Sequence, residues 1–333
     1  MIRIHPSAER NRPGMFDGTW REIASALPRQ RPAQTPSVVS LIGQTPLVPL
    51  GCTSADLPAG VRLLVKLEGL NPGGSVKDRA ALSIVRDALR TGSLSSGKVL
   101  LDATSGNTGI SFAMLGAAFG FPVELVMPAD ASPERVQILK AYGARLVLSD
   151  PAGRTDGARQ VAREMTAAEP ERYFYADQYN NPANPLAHYT TTGPEIWQQT
   201  WGHVTHFVAG MGTSGTMMGA GRYLREQNPV VQLVGVQPVS ADQPIPGLKH
   251  LATAEALDIY DPQLVDTVAV VDVEDAQAMA RRLAREEGLF VGISAGAAVV
   301  AALEVAQGLE SANVVALLPD GGFKYASAPF WVK

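Results

Sequence analysis

The sequence predicts an α/β protein built from two doubly wound, mostly parallel sheets. From residue 60 onward, short apolar segments alternate with helical patterns, which is the order that βαβ units produce. The segments are largely apolar, as expected of parallel strands that helices cover on both faces. A length of 333 residues and nine such segments together predict two domains. The predicted strands are residues 61–67, 99–103, 123–127, 145–148, 173–176, 206–209, 233–237, 268–271 and 314–318.

The predicted boundary between the domains is a segment rich in proline and asparagine at residues 181–185. It gives an N-terminal α/β domain over residues 37–182 and a C-terminal α/β domain over residues 183–333. Residues 1–36 carry six arginines and are predicted to be a separate N-terminal arm. Apolar residues at helical spacing predict an amphipathic segment that packs on the body or on a partner subunit: Phe16, Trp20, Ile23 and Leu27. A tail without fixed structure is the alternative interpretation.

Composition excludes several classes of protein. Hydrophobic residues make up 46% of the chain and charged residues 18%, as in a globular protein with a large core. The net charge of −4 predicts no general affinity for nucleic acid or for an anionic membrane. No apolar run reaches the roughly eighteen residues that span a bilayer. The single cysteine, Cys52, excludes an intrachain disulfide and a cysteine-built zinc site, and we expect a cytoplasmic protein.

The first chemical motif is the lysine turn, residues 71–79 (Asn-Pro-Gly-Gly-Ser-Val-Lys-Asp-Arg). Lys77 follows two glycines at the predicted start of a helix, where Ser75 and Asp78 have the spacing of a capping box. The positive end of the helix dipole and desolvation would both favour a neutral amine. A neutral amine is what a Schiff base with an aldehyde cofactor requires. The alternative is an exposed lysine that begins a helix.

The second motif is the threonine loop, residues 104–109 (Thr-Ser-Gly-Asn-Thr-Gly), between a predicted strand and a helix. Ligands of doubly wound sheets bind beyond the carboxyl ends of the strands. Hydroxyl, amide and backbone N–H groups at a helix start suit an anion such as a carboxylate. Ordinary capping of the helix is the alternative interpretation.

The third motif is the glycine loop, residues 210–216 (Gly-Met-Gly-Thr-Ser-Gly-Thr), which follows another predicted strand. Its glycines match the G-x-G-x-x-G pattern of dinucleotide sites. Such a site also needs an acidic residue at the end of the next strand, but that strand ends in Gln237 and Pro238. Hydroxyls from Thr213, Ser214 and Thr216 therefore favour a small terminal phosphate over a pyrophosphate.

The fourth motif is the serine loop, residues 292–297 (Gly-Ile-Ser-Ala-Gly-Ala), which opens a predicted helix. Ser294 offers a neutral hydroxyl to a ligand or, alternatively, an N-cap to the helix. The string also fits the nucleophile elbow of hydrolases, G-x-S-x-G, but no histidine follows Ser294 to complete a triad. No histidine and carboxylate cluster indicates a metal site, because the five histidines are scattered along the chain.

A lysine for an aldehyde, a phosphate loop, a carboxylate loop and a neutral hydroxyl together describe a pyridoxal-phosphate site. The chain resembles the fold-type II pyridoxal-phosphate enzymes of the tryptophan synthase β kind, specifically the cysteine synthases (O-acetylserine sulfhydrylases). The lysine turn, the threonine loop and residues 41–47 (Leu-Ile-Gly-Gln-Thr-Pro-Leu) carry the resemblance. Residues 188–199, 205–208 and 245–249 are most similar to the B isozyme.

The resemblance implies a role for each motif in an active site that lies in the cleft between the domains. Lys77 would form the Schiff base with pyridoxal 5′-phosphate and act as the base at the substrate's α-carbon. Asn107 would bind the ring's 3′-oxygen, and Ser294 would face the ring nitrogen. The phosphate would be held by Gly212, Thr213, Ser214, Gly215 and Thr216. The substrate carboxylate would be held by Thr104, Ser105, Gly106, Thr108 and Gln178.

The implied reaction makes L-cysteine from O-acetyl-L-serine and sulfide through an α-aminoacrylate intermediate. Thiosulfate, which would give S-sulfocysteine, stays open, because Lys249-His250 and residues 319–322 stand where the B isozyme has arginine-containing segments. Cystathionine β-synthase and an O-phosphoserine-dependent cysteine synthase are the alternatives. The resemblance also implies a homodimer, while serine acetyltransferase is a possible partner that the similarity to the B isozyme does not favour.

Overall fold

The computed structural model describes residues 4–6, 37–104 and 106–332, with only the backbone described at 4–6. Contacts between Cα atoms divide the chain into two compact units. The large unit contains residues 4–6, Gly43–Leu70 and residues 185–332, and the small unit contains residues 37–42 and the described part of Asn71–Asn184.

A seven-stranded sheet forms the centre of the large unit, in the order β1-β10-β9-β8-β11-β3-β2. Its five inner strands are parallel, and the two edge strands, β1 and β2, are antiparallel to their neighbours. The strands are β1 (Ile4–Pro6), β2 (Leu47–Pro49), β3 (Gly60–Leu67), β8 (His206–Gly210), β9 (Gln232–Pro238), β10 (Thr267–Val271) and β11 (Ser311–Leu318).

The small unit has a four-stranded, all-parallel sheet in the order β6-β5-β4-β7. Its strands are β4 (Val99–Ala103), β5 (Val123–Pro128), β6 (Arg145–Ser149) and β7 (Tyr173–Tyr175). All six residues of β5 are buried, as expected of an inner parallel strand that is covered on both faces. Its helices are α1 (Lys77–Thr91), α2 (Asn107–Phe119), α3 (Pro133–Ala141) and α4 (Arg154–Ala168).

The remaining helices follow the small unit's last strand along the chain. A run that begins as α5 (Ala183–Ala187) continues as a π-helix (His188–Thr192) and ends as α6 (Gly193–Gln199). A second π-helix (Met217–Gly221) leads into α7 (Arg222–Gln227), and α8 (Val273–Glu286) and α9 (Ile293–Gln307) follow. In the core of the large unit, the apolar helix α9 packs against α8 and β11. None of the helices in the described ranges is both long and apolar enough to cross a membrane.

The structure confirms the predicted fold class and each of the nine predicted strands, with bounds shifted by at most a few residues. The chain passes between the compact units after Ile42, Leu70 and Asn184, so Gly43–Leu70 belongs to the large unit. The reason is that β3 pairs with β11 along its full length, from Gly60 opposite Ser311 to Leu67 opposite Leu318. The amphipathic segment predicted at residues 16–27 lies outside the described residues.

Candidate active site

In the small unit, the lysine turn is fixed by the carboxylate of Asp78, which is fully buried. The N–H of Gly73 donates to Asp78 Oδ2 at 2.6 Å, and the N–H of Gly74 donates to the carbonyl of Asn71 at 2.7 Å. Gly74 has a φ of 78°, a conformation that favours glycine. A Cβ atom on Gly73 would overlap the Asp78 carboxylate, so this position also needs glycine.

Helix α1 begins at Lys77, which places the half-buried lysine in the first turn. The predicted capping box is wrong, because the N-cap is Val76 and no side chain caps the helix. Asp78 accepts from Gly73 instead, while Ser75 Oγ accepts from the N–H of Lys77 at 3.3 Å. The carboxylate thus fixes the turn before the lysine rather than the end of the helix.

Lys77 and Asn107 stand at the starts of two helices that are joined by one hydroxyl group. Ser111, in the second turn of α2, lies 2.5 Å from Asp78 Oδ1 and 3.0 Å from the carbonyl of Asn107, within hydrogen-bond distance of both. The first turn of α1 is therefore tied to the first turn of α2. The structure brings these two predicted cofactor-binding residues into one region of the small unit.

The threonine loop is held by hydrogen bonds within itself. Thr104 Oγ1 accepts from the N–H of Gly106 at 3.1 Å and from the N–H of Gly109 at 3.2 Å. The Thr108 hydroxyl donates to Gln178 Oε1 at 2.6 Å. These predicted substrate-binding residues therefore lie together, except for Ser105, which is outside the described residues.

Gln178 is buried, and its side-chain amide is fully engaged. Nε2 donates to Asp102 Oδ2 at 3.0 Å and to the carbonyl of Ala103 at 3.0 Å. The backbone carbonyl of Gln178 accepts from Asn184 Nδ2 at 2.7 Å. Sequence reasoning missed Asp102, although a charged residue inside the otherwise apolar strand β4 is a signal that could have identified it.

The carboxyl of Asp102 is 1% exposed and lies at the end of β4. Burial raises its pKa well above the usual range, and the negative charge of Asp177 raises it further. Hydrogen bonds from the backbone of Ala103 and Gln178, and from the Gln178 side chain, act in the opposite direction, because they favour the ionised form. Burial is the larger effect, so the neutral carboxylic acid is favoured relative to an exposed aspartate.

In the large unit, the glycine loop follows β8 and lies against residue 247. A Cβ atom on Gly212 would overlap the Gly247 carbonyl oxygen, which explains why glycine is required there. Ser214 has a φ of 67°, and the N–H of Gly215 donates to Thr213 Oγ1 at 3.3 Å. Within the described part of the chain, the buried Ser214 hydroxyl has no hydrogen-bond partner.

Ser294 lies in the same region of the large unit as the glycine loop. Helix α9 begins at Ile293 with Gly292 as its N-cap and no side-chain capping bond, so the N-cap interpretation of Ser294 is wrong. The serine is 4% exposed, and a Cβ atom on Gly247 would lie 3.9 Å from its Oγ. Gly247 thus stands next to both Gly212 and Ser294, and sequence reasoning did not assign it a role.

His188 is a second neighbour of the glycine loop that sequence reasoning missed. Its Nε2 lies 3.4 Å from Thr216 Oγ1, and its Nδ1 lies 2.9 Å from Thr192 Oγ1. At 2% exposure it is a buried residue that fixes Thr216. Nothing local distinguishes it from the other histidines, because the contact joins residues far apart in the chain.

The donor groups of the large unit fit a phosphate. A buried hydroxyl without a partner, at Ser214, lies in a glycine-rich loop at the start of a helical run. Phosphate oxygens accept hydrogen bonds from hydroxyls and from the N–H groups at helix starts. Lys77, Asn107 and Ser294 are of the types that an aldehyde, a phenolic oxygen and a ring nitrogen would require.

Comparison with known proteins agrees with this chemistry. A family model described as "Pyridoxal-phosphate dependent enzyme" matches residues 38–320. A cysteine synthase of Aquifex aeolicus is 51% identical over 294 residues, covering 87% of this chain and 90% of the relative. Cysteine synthase B of Escherichia coli is 47% identical over 286 residues, covering 86% of this chain and 93% of the relative. The crystal structure of a cysteine synthase from Entamoeba histolytica superposes with a TM-score of 0.85 at 35% identity, covering 92% and 93% of the two chains.

The chain therefore belongs to the pyridoxal-phosphate-dependent enzyme family. Its cofactor is pyridoxal 5′-phosphate, as predicted from the sequence motifs.

Proposed function

We propose that this enzyme makes L-cysteine from O-acetyl-L-serine and sulfide by replacing the acetate at the β-carbon. The similarity to cysteine synthases over most of the chain supports this activity. In the structure, the observation that carries it is the hydroxyl of Ser294, which makes no helix-capping bond. It lies next to Gly247, in the same unit as the glycine loop. A neutral hydroxyl cannot stabilise a charged pyridinium as a carboxylate would, which disfavours transamination and leaves β-replacement.

Each predicted site residue has a chemical task in this proposal. When bound, the cofactor supplies an aldehyde and an electron-withdrawing ring that acidifies the substrate's α-proton. The amine of Lys77 would hold the cofactor's aldehyde and, once the substrate's amine has replaced it there, would take the α-proton and later return it to the product. Asn107 would donate to the 3′-oxygen, and the Ser294 hydroxyl would lie at the ring nitrogen.

The glycine loop would bind the cofactor phosphate through its backbone N–H groups and hydroxyls. The set comprises Gly212, Thr213, Ser214, Gly215 and Thr216. The Ser214 hydroxyl, which is buried without a partner, would donate to a phosphate oxygen. His188 would hold the side chain of Thr216 in position through its Nε2 atom.

The threonine loop would bind the substrate carboxylate at the start of α2 and exclude water from the reacting carbons. Thr104, Ser105, Gly106, Thr108 and Gln178 are the proposed ligands. The hydrogen bonds that the loop makes within itself would have to be exchanged for bonds to the substrate.

Sulfide is the sulfur donor that we propose, because Lys249 and His250 stand where the resemblance to the B isozyme would place arginines that bind a larger oxyanion. Lys249 lies two residues after Gly247, and its N–H donates to the carbonyl of Met211 at 2.8 Å. The ammonium group of Lys249 could also attract thiosulfate, which stays the second candidate donor. An ammonium binds oxyanions with less directional specificity than a guanidinium does. A cytoplasmic homodimer is the proposed form of the enzyme, on the family resemblance.

A spectroscopic experiment tests the proposed function. Purified enzyme should absorb in the visible range as a lysine-bound aldehyde cofactor, and O-acetylserine should change the spectrum until sulfide restores it. In Lys77→Ala we expect the lysine-bound absorbance to be lost and turnover to fall by at least about 10³-fold, because both the covalent link and the base are removed. The assignment would be contradicted if wild-type enzyme ignored O-acetylserine but reacted with serine and homocysteine, as a cystathionine β-synthase would.

A further inference from the structure

Three hydrogen-bond donors of the threonine loop already have acceptors within the protein. The N–H groups of Gly106 and Gly109 both donate to Thr104 Oγ1, and the Thr108 hydroxyl donates to Gln178 Oε1. The two N–H bonds of the Gln178 amide are directed to other protein groups. A ligand carboxylate that uses these donors must displace their present acceptors.

The acceptor opposite Gln178 is itself a carboxyl group. Asp102 Oδ2 and the carbonyl of Ala103 each lie 3.0 Å from Nε2, which has two hydrogens to donate. Neither hydrogen remains for a second carboxylate. The Asp102 carboxyl oxygen and the Ala103 carbonyl therefore both compete with a ligand for this amide.

We infer that Asp102 competes with the substrate's carboxylate for the side-chain amide of Gln178 and thereby sets how tightly the threonine loop binds its substrate. This inference rests on the proposed function, in which Gln178 is a carboxylate ligand. Asp102 is a positioning residue here, because it acts through Gln178 and does not contact the reacting atoms. Removing the competitor destabilises only the ligand-free arrangement, so it shifts the equilibrium toward the bound state.

A second buried carboxylate in the same sheet provides the contrast. Glu124, on the neighbouring strand β5, lies 3.4 Å from Arg172 and 3.3 Å from the hydroxyl of Tyr173. Those partners neutralise and orient it without involving the threonine loop. Asp102 instead accepts a hydrogen bond from Gln178, the residue to which Thr108 of the loop donates. Its position therefore points to control of Gln178 rather than to a self-contained ion pair.

The test measures binding of L-serine, which carries the substrate's carboxylate but lacks the acetyl leaving group, to the holoenzyme by cofactor absorbance. Asp102→Val replaces the carboxyl group with a compact apolar side chain and removes the acceptor, and we expect about tenfold tighter binding. Asp102→Asn keeps an acceptor oxygen at this position, and we expect a smaller gain of about threefold. Glu124→Gln is the matched control and should leave the dissociation constant within about twofold.

Coupling to Gln178 distinguishes competition from a general effect on the fold. In a Gln178→Ala background, Asp102→Val should change L-serine affinity by less than about twofold, because the shared donor is gone. Weaker binding in Asp102→Val, or equal tightening with and without Gln178, would overturn the inference. If the valine variant does not fold, the asparagine variant decides: unchanged or weaker L-serine binding there overturns the inference.

A second measurement does not depend on turnover. In holoenzyme labelled with ¹⁵N-glutamine, the Gln178 side-chain amide should be protected from hydrogen exchange, and L-serine should move its resonance. Asp102→Asn should reduce the protection, and an unchanged resonance and protection in that variant would contradict the inference. The failure of the proposed function has a different signature, namely wild-type enzyme that does not react with O-acetylserine.

Discussion

The threonine loop and the glycine loop differ in how their buried hydroxyl groups are paired. In the threonine loop, the Thr104 hydroxyl oxygen accepts from two backbone N–H groups and the Thr108 hydroxyl donates to Gln178. In the glycine loop, the buried hydroxyl of Ser214 has no partner within the described residues. We interpret the difference by the residence time of the ligand. A permanent cofactor supplies missing partners at all times, whereas a loop that exchanges its ligand each turnover needs partners of its own.

The largest expected effect comes from filling the space at the glycine loop. In Gly212→Ala, the new Cβ would overlap the Gly247 carbonyl, a backbone atom that cannot turn aside. We expect an overpacking cost of about 3 kcal/mol, seen as a loss of cofactor affinity on the order of 100-fold. Equilibrium dialysis of pyridoxal phosphate measures it. Cofactor affinity equal to that of wild type would show that the loop is not a rigid phosphate site.

A smaller effect is expected from removing the acceptor at the centre of the threonine loop. Thr104→Val keeps the shape but leaves the N–H groups of Gly106 and Gly109 without their acceptor. The ligand-free protein should lose about 1–2 kcal/mol of unfolding free energy, which urea denaturation measures. Thr104→Ser keeps the hydroxyl and is the matched control. Equal stability of the valine variant and wild type would show that the hydrogen bonds to Thr104 do not stabilise the loop.

The smallest effect that we expect is a change in how stability depends on pH. Burial, and then the charge of Asp177, raise the pKa of Asp102 above its unfolded value. The neutral acid therefore stabilises the folded state below the unfolded pKa, and this contribution is lost as pH rises through the folded pKa. Two tyrosines feel the charge of this carboxyl, Tyr175 and Tyr179, and because burial raises their pKa values they acquire charge only at high pH.

In Asp102→Asn, this part of the pH dependence should disappear, so the variant gains stability relative to wild type as pH rises. Urea denaturation across a pH series measures the difference, with Glu124→Gln as the control. A constant difference between Asp102→Asn and wild type at every pH would contradict the assignment.

The sequence predicted the fold because the nine main strands are apolar over at least three residues and are separated by helical patterns. The two edge strands, Ile4–Pro6 and Leu47–Pro49, were not predicted, because three residues are too few to establish a pattern and each strand contains proline. The membership of Gly43–Leu70 in the large unit also depends on pairing with β11, far away in the sequence.

For the candidate site, local motifs identified the loops but not the contacts that organise them. The placement of Lys77 in the first turn of a helix followed from its glycine-rich approach. The prediction of a capping box was wrong because the Asp78 carboxylate accepts from the N–H of Gly73. The spacing of the residues alone does not reveal this partner. Asp102 and Gly247 act through residues distant in the chain, and such contacts are visible only in the folded structure.

The central claim is that hydroxyls of the threonine loop are paired within the protein, whereas the hydroxyl of Ser214 is paired by the cofactor. Two substitutions in cofactor-free protein test it most directly. Ser214→Ala removes a buried hydroxyl without a partner, whereas Thr108→Val removes a donor that Gln178 uses. Urea denaturation should show Ser214→Ala more stable than wild type and Thr108→Val less stable, each by about 1 kcal/mol. Added pyridoxal phosphate should stabilise Ser214→Ala less than wild type. The account would be contradicted if Ser214→Ala lost stability without the cofactor while Thr108→Val did not.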